Sequence, residues 1–119
     1  MNSRQRMRTS NVYVREWLLK NKFDHVWFKP HRDPRKRGNH EVVYRANGET
    51  YGQLDLFNLF DGVCFDPNGL LVMFQVKTHN WASEKKIKDF MKGKSGFMCM
   101  VFNVRLIERR WKVFIREYR

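Results

Sequence analysis

The sequence predicts an α/β domain of the α+β kind, a single mixed sheet with helices packed on it. Three observations predict it. Helix-spaced and strand-like runs follow one another along the chain, and two turn signals, Asn47-Gly48 and Asp66-Pro67-Asn68-Gly69, join strand-like runs into hairpins. Apolar residues make up 42% of the 119, with ten Phe and four Trp, enough to fill one core and too few for two. Residues 1–119 therefore read as one domain. A basic N-terminal arm is expected over 1–10, a basic loop over 29–40 and a hairpin insertion over 41–52.

Each element has a local reason. Ser10 or Asn11 is a good N-cap for a helix over Val12 to Asn21, whose apolar residues are Val14, Trp17, Leu18 and Leu19. Val26-Trp27-Phe28 reads as a short strand stopped by Pro30. Lys29 to His40 carries five Lys or Arg, two Pro and one Gly, and reads as a basic loop. Asn47-Gly48 marks the small hairpin. Leu59 to Lys77 forms the central hairpin, with a three-residue loop closed by Asp66 and Leu70. Asn80 can cap a helix running to about Lys92, with Trp81, Ile87, Phe90 and Met91 inward and Gly93 past its end. Phe97 to Phe102 is a continuous apolar run suited to a strand covered on both faces, and Trp111 to Tyr118 is a less buried last strand.

A net charge of +12 and a pI of about 10.2 make a polyanion the default partner. Nucleic acid is favoured over a membrane surface, because the chain has neither an apolar run of spanning length nor a basic amphipathic helix with a broad lipid-facing side. Cys64 and Cys99 lie in apolar runs without CxxC spacing and read as buried, reduced thiols of an intracellular protein. The histidines and cysteines lack zinc spacing, and no serine sits in a GxSxG elbow.

The central hairpin carries polar groups where apolar ones belong. Its register sets Asp61 opposite Gln75, with Lys77 one diagonal step away on the same face. Mg²⁺ takes oxygen ligands and keeps several waters, so Asp61 and Gln75 suffice as a protein foothold beside a substrate phosphate, with Lys77 placed to orient or help deprotonate the attacking water. The competing reading makes Gln75 and Lys77 the solvent face of an ordinary strand and Asp61-Gly62 a turn.

At these residues the chain resembles the PD-(D/E)XK nuclease superfamily: Asp61 falls on the family's first acid and Gln75-Val76-Lys77 on its acid-x-lysine triplet, in the variant with Gln for Glu. The resemblance implies a restriction-endonuclease-like core, helix-strand-strand-strand-helix-strand, here with a C-terminal extra strand. It implies an Mg²⁺- or Mn²⁺-dependent endodeoxyribonuclease, with Asp61, Gln75 and the Val76 backbone carbonyl as metal ligands and Lys77 as a catalytic group. Asp55 joins the metal site or bonds a backbone amide.

Within the superfamily the short basic chain looks most like archaeal-type and viral Holliday junction resolvases, which act in DNA recombination. Those place a helix-borne glutamate near the metal. Glu16 fills that role or pairs with Lys20 on the surface. Branched DNA, a homodimer and a place in the cytoplasm of a microbial or virus-infected host cell follow from the same likeness. DNA contacts are expected from Arg8, Lys29, Arg32, Arg35, Lys36 and Arg37, and a dimer patch from Trp111, Val113 and Ile115 or from Phe57 and Phe60. Two departures stand out: Gln75 is neutral, which weakens a metal site, and Pro30-His31-Arg32 has no counterpart of the resolvases' small residue after the first strand. The rivals are a non-catalytic basic nucleic-acid-binding module and a nuclease for linear or single-stranded DNA.

Overall fold

Helix α1 spans Ser3–Lys20, eighteen residues without Gly or Pro. It begins well before the expected Val12, and residues 3–10 are its first two turns rather than an arm. The cause is a capping box at the very start: the Gln5 N–H donates to Asn2 Oδ1 at 2.9 Å, and the Asn2 N–H donates to Gln5 Oε1 at 3.0 Å. Ser10 lies inside the helix, fully buried, with its hydroxyl 2.5 Å from that of Thr78. Val14 and Leu18 are buried below it, each worth about 1.5–3 kcal/mol as a side chain removed from water. Leu19, the last apolar residue of the same run, is 53% exposed.

The computed structural model describes residues 2–30, 41–44, 46–48, 50–53, 56–57 and 59–119. After α1 come β1 (Asp24–Phe28), β2 (Glu41–Tyr44), β3 (Thr50–Gln53), β4 (Gly62–Phe65), β5 (Leu71–Thr78), α2 (Glu84–Met91), β6 (Phe97–Ile107) and β7 (Arg110–Tyr118). Strands β2 and β3 pair about Asn47-Gly48 as a separate two-stranded sheet, the appendage that the Asn-Gly signal predicts. The other five strands form one mixed sheet in the order β1-β4-β5-β6-β7. Strands β1, β4 and β5 are an antiparallel meander, β6 runs parallel to β5, and β7 closes antiparallel on β6. Parallel neighbours need a crossover, and α2 supplies it.

Residue parity divides the core in two. Val72, Phe74 and Val76 of β5 and Met98, Met100, Phe102 and Val104 of β6 meet Val14 and Leu18 of α1 on one face. Met73, Cys99 and Val101 meet Ile87, Phe90 and Met91 of α2 on the other. Strand β6 is thus covered on both faces, as its unbroken apolar run predicts, while β7 alternates between half-buried and exposed residues. Of the residues expected at a dimer patch, Trp111, Val113 and Ile115 are half-buried against the α1 layer and Phe60 is fully buried in the α2 layer, whereas Phe57 is 41% exposed. Cys64 lies in the α1 layer and Cys99 in the α2 layer, and burial pushes each thiol up to about 12.

Gly62 is required by a close approach. A Cβ there would run into the Phe74 ring and the Trp27 carbonyl oxygen, so the strand can pass only without a side chain. Gly62→Ala is expected to cost about 1–3 kcal/mol or more by overpacking, measured by urea unfolding. An unchanged midpoint would show that Phe74 gives way freely.

Candidate functional site

The turn after β4 has the predicted geometry. Asp66 N–H donates to the Leu70 carbonyl at 2.9 Å, Gly69 N–H returns to the Asp66 carbonyl at 2.9 Å, and Gly69 takes φ +85°. Gly62 then pairs with Phe74 and Val63 with Met73; Asp61, just before the ladder, donates its N–H to the Phe74 carbonyl at 2.8 Å and lines one cavity with Gln75. The two lie on the α2 side of the sheet with Lys77, whose register partner on β6 is Asn103.

Helix α2 cannot cover that whole face. Its eight residues span about 12 Å at 1.5 Å each, whereas the eleven of β6 span about 36 Å. The helix starts at Glu84 under a Ser83 cap, three residues beyond the expected Asn80 cap, because the Ser83 side chain accepts the Lys86 N–H at 3.3 Å while Asn80 reaches only the next N–H, of Trp81. Trp81 is therefore outside the helix. It helps line a cavity of about 370 Å³ at the sheet's open end, together with Met7, Lys29, Leu59, Asp61, Gln75, Val76, Lys77, Ser83 and Lys86.

Among the described residues that line the cavity, Asp61 is the one acid, facing three lysines. Its Oδ2 accepts the Val76 backbone N–H at 2.6 Å, and Lys29 Nζ stands 3.5 Å from Oδ1. Since one residue's N–H and C=O leave a strand on the same side, the Val76 carbonyl faces the same gap beyond the start of β4. Gln75 Oε1 is buried with no hydrogen-bond partner among the described residues. Burial holds the Asp61 carboxyl above its ordinary value of 3.8, against the lowering pull of the Val76 N–H, of Lys29 and of Lys77. The carboxylate's charge is thus under-compensated, and the adjacent orphaned oxygen is another hard donor. A hydrated divalent cation fits that pair, with Val76 C=O beside it. Among the described residues no three of His, Cys, Asp and Glu cluster into a metal site, so such an ion would keep much of its water.

Lys29 reaches Asp61 because of a β-bulge. Asp24 pairs with Phe65 but Trp27 with Val63, so one extra residue is accommodated near His25, which takes φ +51°. Without it Phe28 would oppose Asp61; with it Lys29 does, its N–H donating to the Asp61 carbonyl at 2.8 Å. Other predicted residues are not brought in. Glu16 is exposed on α1, which covers the opposite face, and does not line the cavity. Arg8 is exposed on α1 and does not line the cavity. Asp55, Arg32, Arg35, Lys36 and Arg37 lie outside the described residues. Sequence reasoning missed Trp81, Ser83, Lys86 and Asn103. Asn103 is 1% exposed, with Oδ1 unpartnered, and its signal was a lone amide in the apolar run of β6.

No family model matches the chain, and no curated protein or solved structure matches it. The fold and site alone define the class: an α+β domain with a lysine-rich cavity around the half-buried Asp61 carboxylate.

Because the folded state raises the Asp61 pKa, it holds that proton more tightly than the unfolded chain. The stability this group contributes is complete below pH 3.8 and is lost as pH rises through the raised value. Asp61→Asn keeps an oxygen for the Val76 N–H and cannot ionise. Relative to the unmodified protein it is expected to gain stability between about pH 3 and about pH 7, measured by urea unfolding at both. A difference that does not change with pH would assign the carboxylate no burial penalty.

Proposed function

We propose that the protein is an Mg²⁺- or Mn²⁺-dependent endodeoxyribonuclease of the PD-(D/E)XK type. The observation that carries this reading is the convergence of Asp61, Gln75 and Lys77 on one cavity. The strand arrangement supports it too: a three-stranded meander after the first helix, then a second helix and a strand parallel to the third, is the order ascribed to that superfamily's core, with β7 as the extra strand.

A bound divalent ion supplies Lewis acidity toward the phosphate and lowers the pKa of water at the site. The chain's own residues do the rest. Asp61 and Gln75 Oε1 offer the oxygens that hold the ion, and Gln75, being neutral, leaves the site one negative charge short of the usual triplet. Lys77 Nζ orients the attacking water and stabilises charge on the phosphate. Lys29 and Lys86 draw the anionic strand in. Branched DNA is the proposed substrate and a twofold homodimer the proposed working form, because matched nicks in opposed strands require two copies of a single site. No helix among the described residues is long and apolar enough to cross a membrane.

A second reading has its own observation. Asp61 is already engaged by Val76 and Lys29, as a purely structural carboxylate in a phosphate-binding cavity would be. Asp61→Asn separates the two: with Mg²⁺ or Mn²⁺ and a panel of four-way, flap, duplex and single-stranded DNA, it is expected to lose about 10²-fold or more in cleavage while DNA binding persists. Equal cleavage by the variant moves the chemistry elsewhere. Glu16→Gln, remote from the cavity, is expected to cut at the unmodified rate. Mg²⁺ should raise the melting temperature of the unmodified protein in a concentration-dependent way and not that of Asp61→Asn. Sedimentation with and without junction DNA tests the dimer, and a monomer in both states leaves a nicking nuclease.

A further inference from the structure

The β6–β7 hairpin is an unexplained piece of the fold. It closes through Glu108-Arg109, both in the left-handed region at φ +50° and +65°, where Asn-Gly or Asp-Gly is the favoured pair. Its register opposes Arg105 to Lys112 directly, two cations across the ladder, an arrangement that destabilises a sheet. Parity gives the reason for interest. Arg105 follows Asn103 by two residues, and Arg110, Lys112 and Arg116 share the face of Phe114, the partner of Asn103. All four cations therefore stand on the side of the sheet that holds Asp61, Gln75 and Lys77.

Nothing on that face of the hairpin offsets them. Glu117 has the opposite parity, and Glu108 lies in the turn. Arg105, Arg110 and Lys112 are exposed, and none has an ion-pair partner among the described residues. Arg116 lies 4.0 Å over the ring of Trp81, which lines the cavity, so the charged column runs from the hairpin toward the site. The tip projects past Thr78, the end of β5, at the cavity's own end of the sheet.

We propose that the β6–β7 hairpin is a duplex-DNA-binding arm, in which Arg105, Arg110 and Lys112 hold the phosphate backbone flanking the strand that enters the cavity. The choice of polyanion rests on the nuclease reading, and the arm's own chemistry supports it. A two-stranded ribbon fits a major groove about 12 Å wide. Like charges kept in opposition are relieved by a partner that supplies phosphates to both. A lipid surface suits the hairpin less well, since Phe114 is its one large apolar side chain exposed on this face.

The test is fluorescence anisotropy of a labelled duplex in EDTA across a salt series, with the unmodified protein, with Arg105→Gln/Arg110→Gln/Lys112→Gln, and with Arg15→Gln/Lys20→Gln/Lys22→Gln as a control of equal charge on and just after α1. The arm triple is expected to weaken binding at least about tenfold near 100 mM salt and to flatten the slope of log K against log salt by about 3; the control should leave the slope near its starting value. An unchanged slope, an equal effect of the control, or a loss confined to phosphatidylserine vesicles overturns the proposal. So does a melting temperature of Arg105→Gln/Lys112→Gln below that of the unmodified protein, since removing the opposed charges should leave it equal or higher. Cleavage is scored separately. A flattened slope with no cleavage keeps the arm and sinks the nuclease reading, whereas cleavage with an unchanged slope does the reverse.

Discussion

Asp66 folds its own turn, and the phase of everything on the cavity side depends on it. One carboxylate oxygen, Oδ1, accepts the N–H groups of both Asn68 and Leu70, at 2.9 and 2.8 Å, which locks the loop length and with it the pairing of β4 with β5. A slip of one residue would carry Gln75 and Lys77 to the apolar α1 layer and take the Val76 N–H away from the Asp61 carboxylate that accepts it. The same slip would carry Gly62 away from the one place where Trp27 and Phe74 leave no room for a side chain. Register is thus held at two ends, by hydrogen bonds at the turn and by steric exclusion at the site.

The two faces of the sheet are asymmetric in what they cost. The α1 face is filled by apolar side chains from α1, β1, β4, β5, β6 and β7; Ser10, buried among them, meets the Thr78 hydroxyl, and the next residue of α1, Asn11, keeps a buried Oδ1 without a partner among the described residues. The α2 face is apolar only where its short helix reaches. Beyond it stand a half-buried carboxylate, two amides with orphaned oxygens and a cluster of lysines. An orphaned buried acceptor costs about 1–3 kcal/mol. The α1 layer therefore carries the stability that the other face gives up, and the polar groups are held in position by a framework they do not build.

Much of this was legible in the sequence where a local rule decides the outcome. The Asp66-Pro67-Asn68-Gly69 turn, the Asn47-Gly48 hairpin and the apolar β6 run each rest on nearby residues, and the β4–β5 pairing that brings Asp61 and Gln75 to one cavity follows from the turn by counting. What was not legible depends on remote contacts or on small competitions. The start of α1 turned on Asn2 and Gln5, where Ser10 looked equally good as a cap. The bulge at His25 leaves no mark in a five-residue strand, so Lys29 was read as a loop cation instead of the partner of Asp61. The apolar residues of β7 looked available for a partner chain because nothing local shows that α1 packs on them, as Tyr13 does on Trp111. Glu16 was drawn toward the site by the resemblance, while the helix that bears it packs on the other side.

The placement of the two cysteines has a use of its own. Each thiol sits in a different layer, neither can reach the other through the sheet, and both are held to the unreactive protonated form. Alkylation of either in the native state requires its own layer to open. The rate at Cys64 then clocks the opening of the α1 side and the rate at Cys99 that of the α2 side. The chain carries a built-in pair of reporters that can tell breathing around the cavity from breathing of the framework behind it.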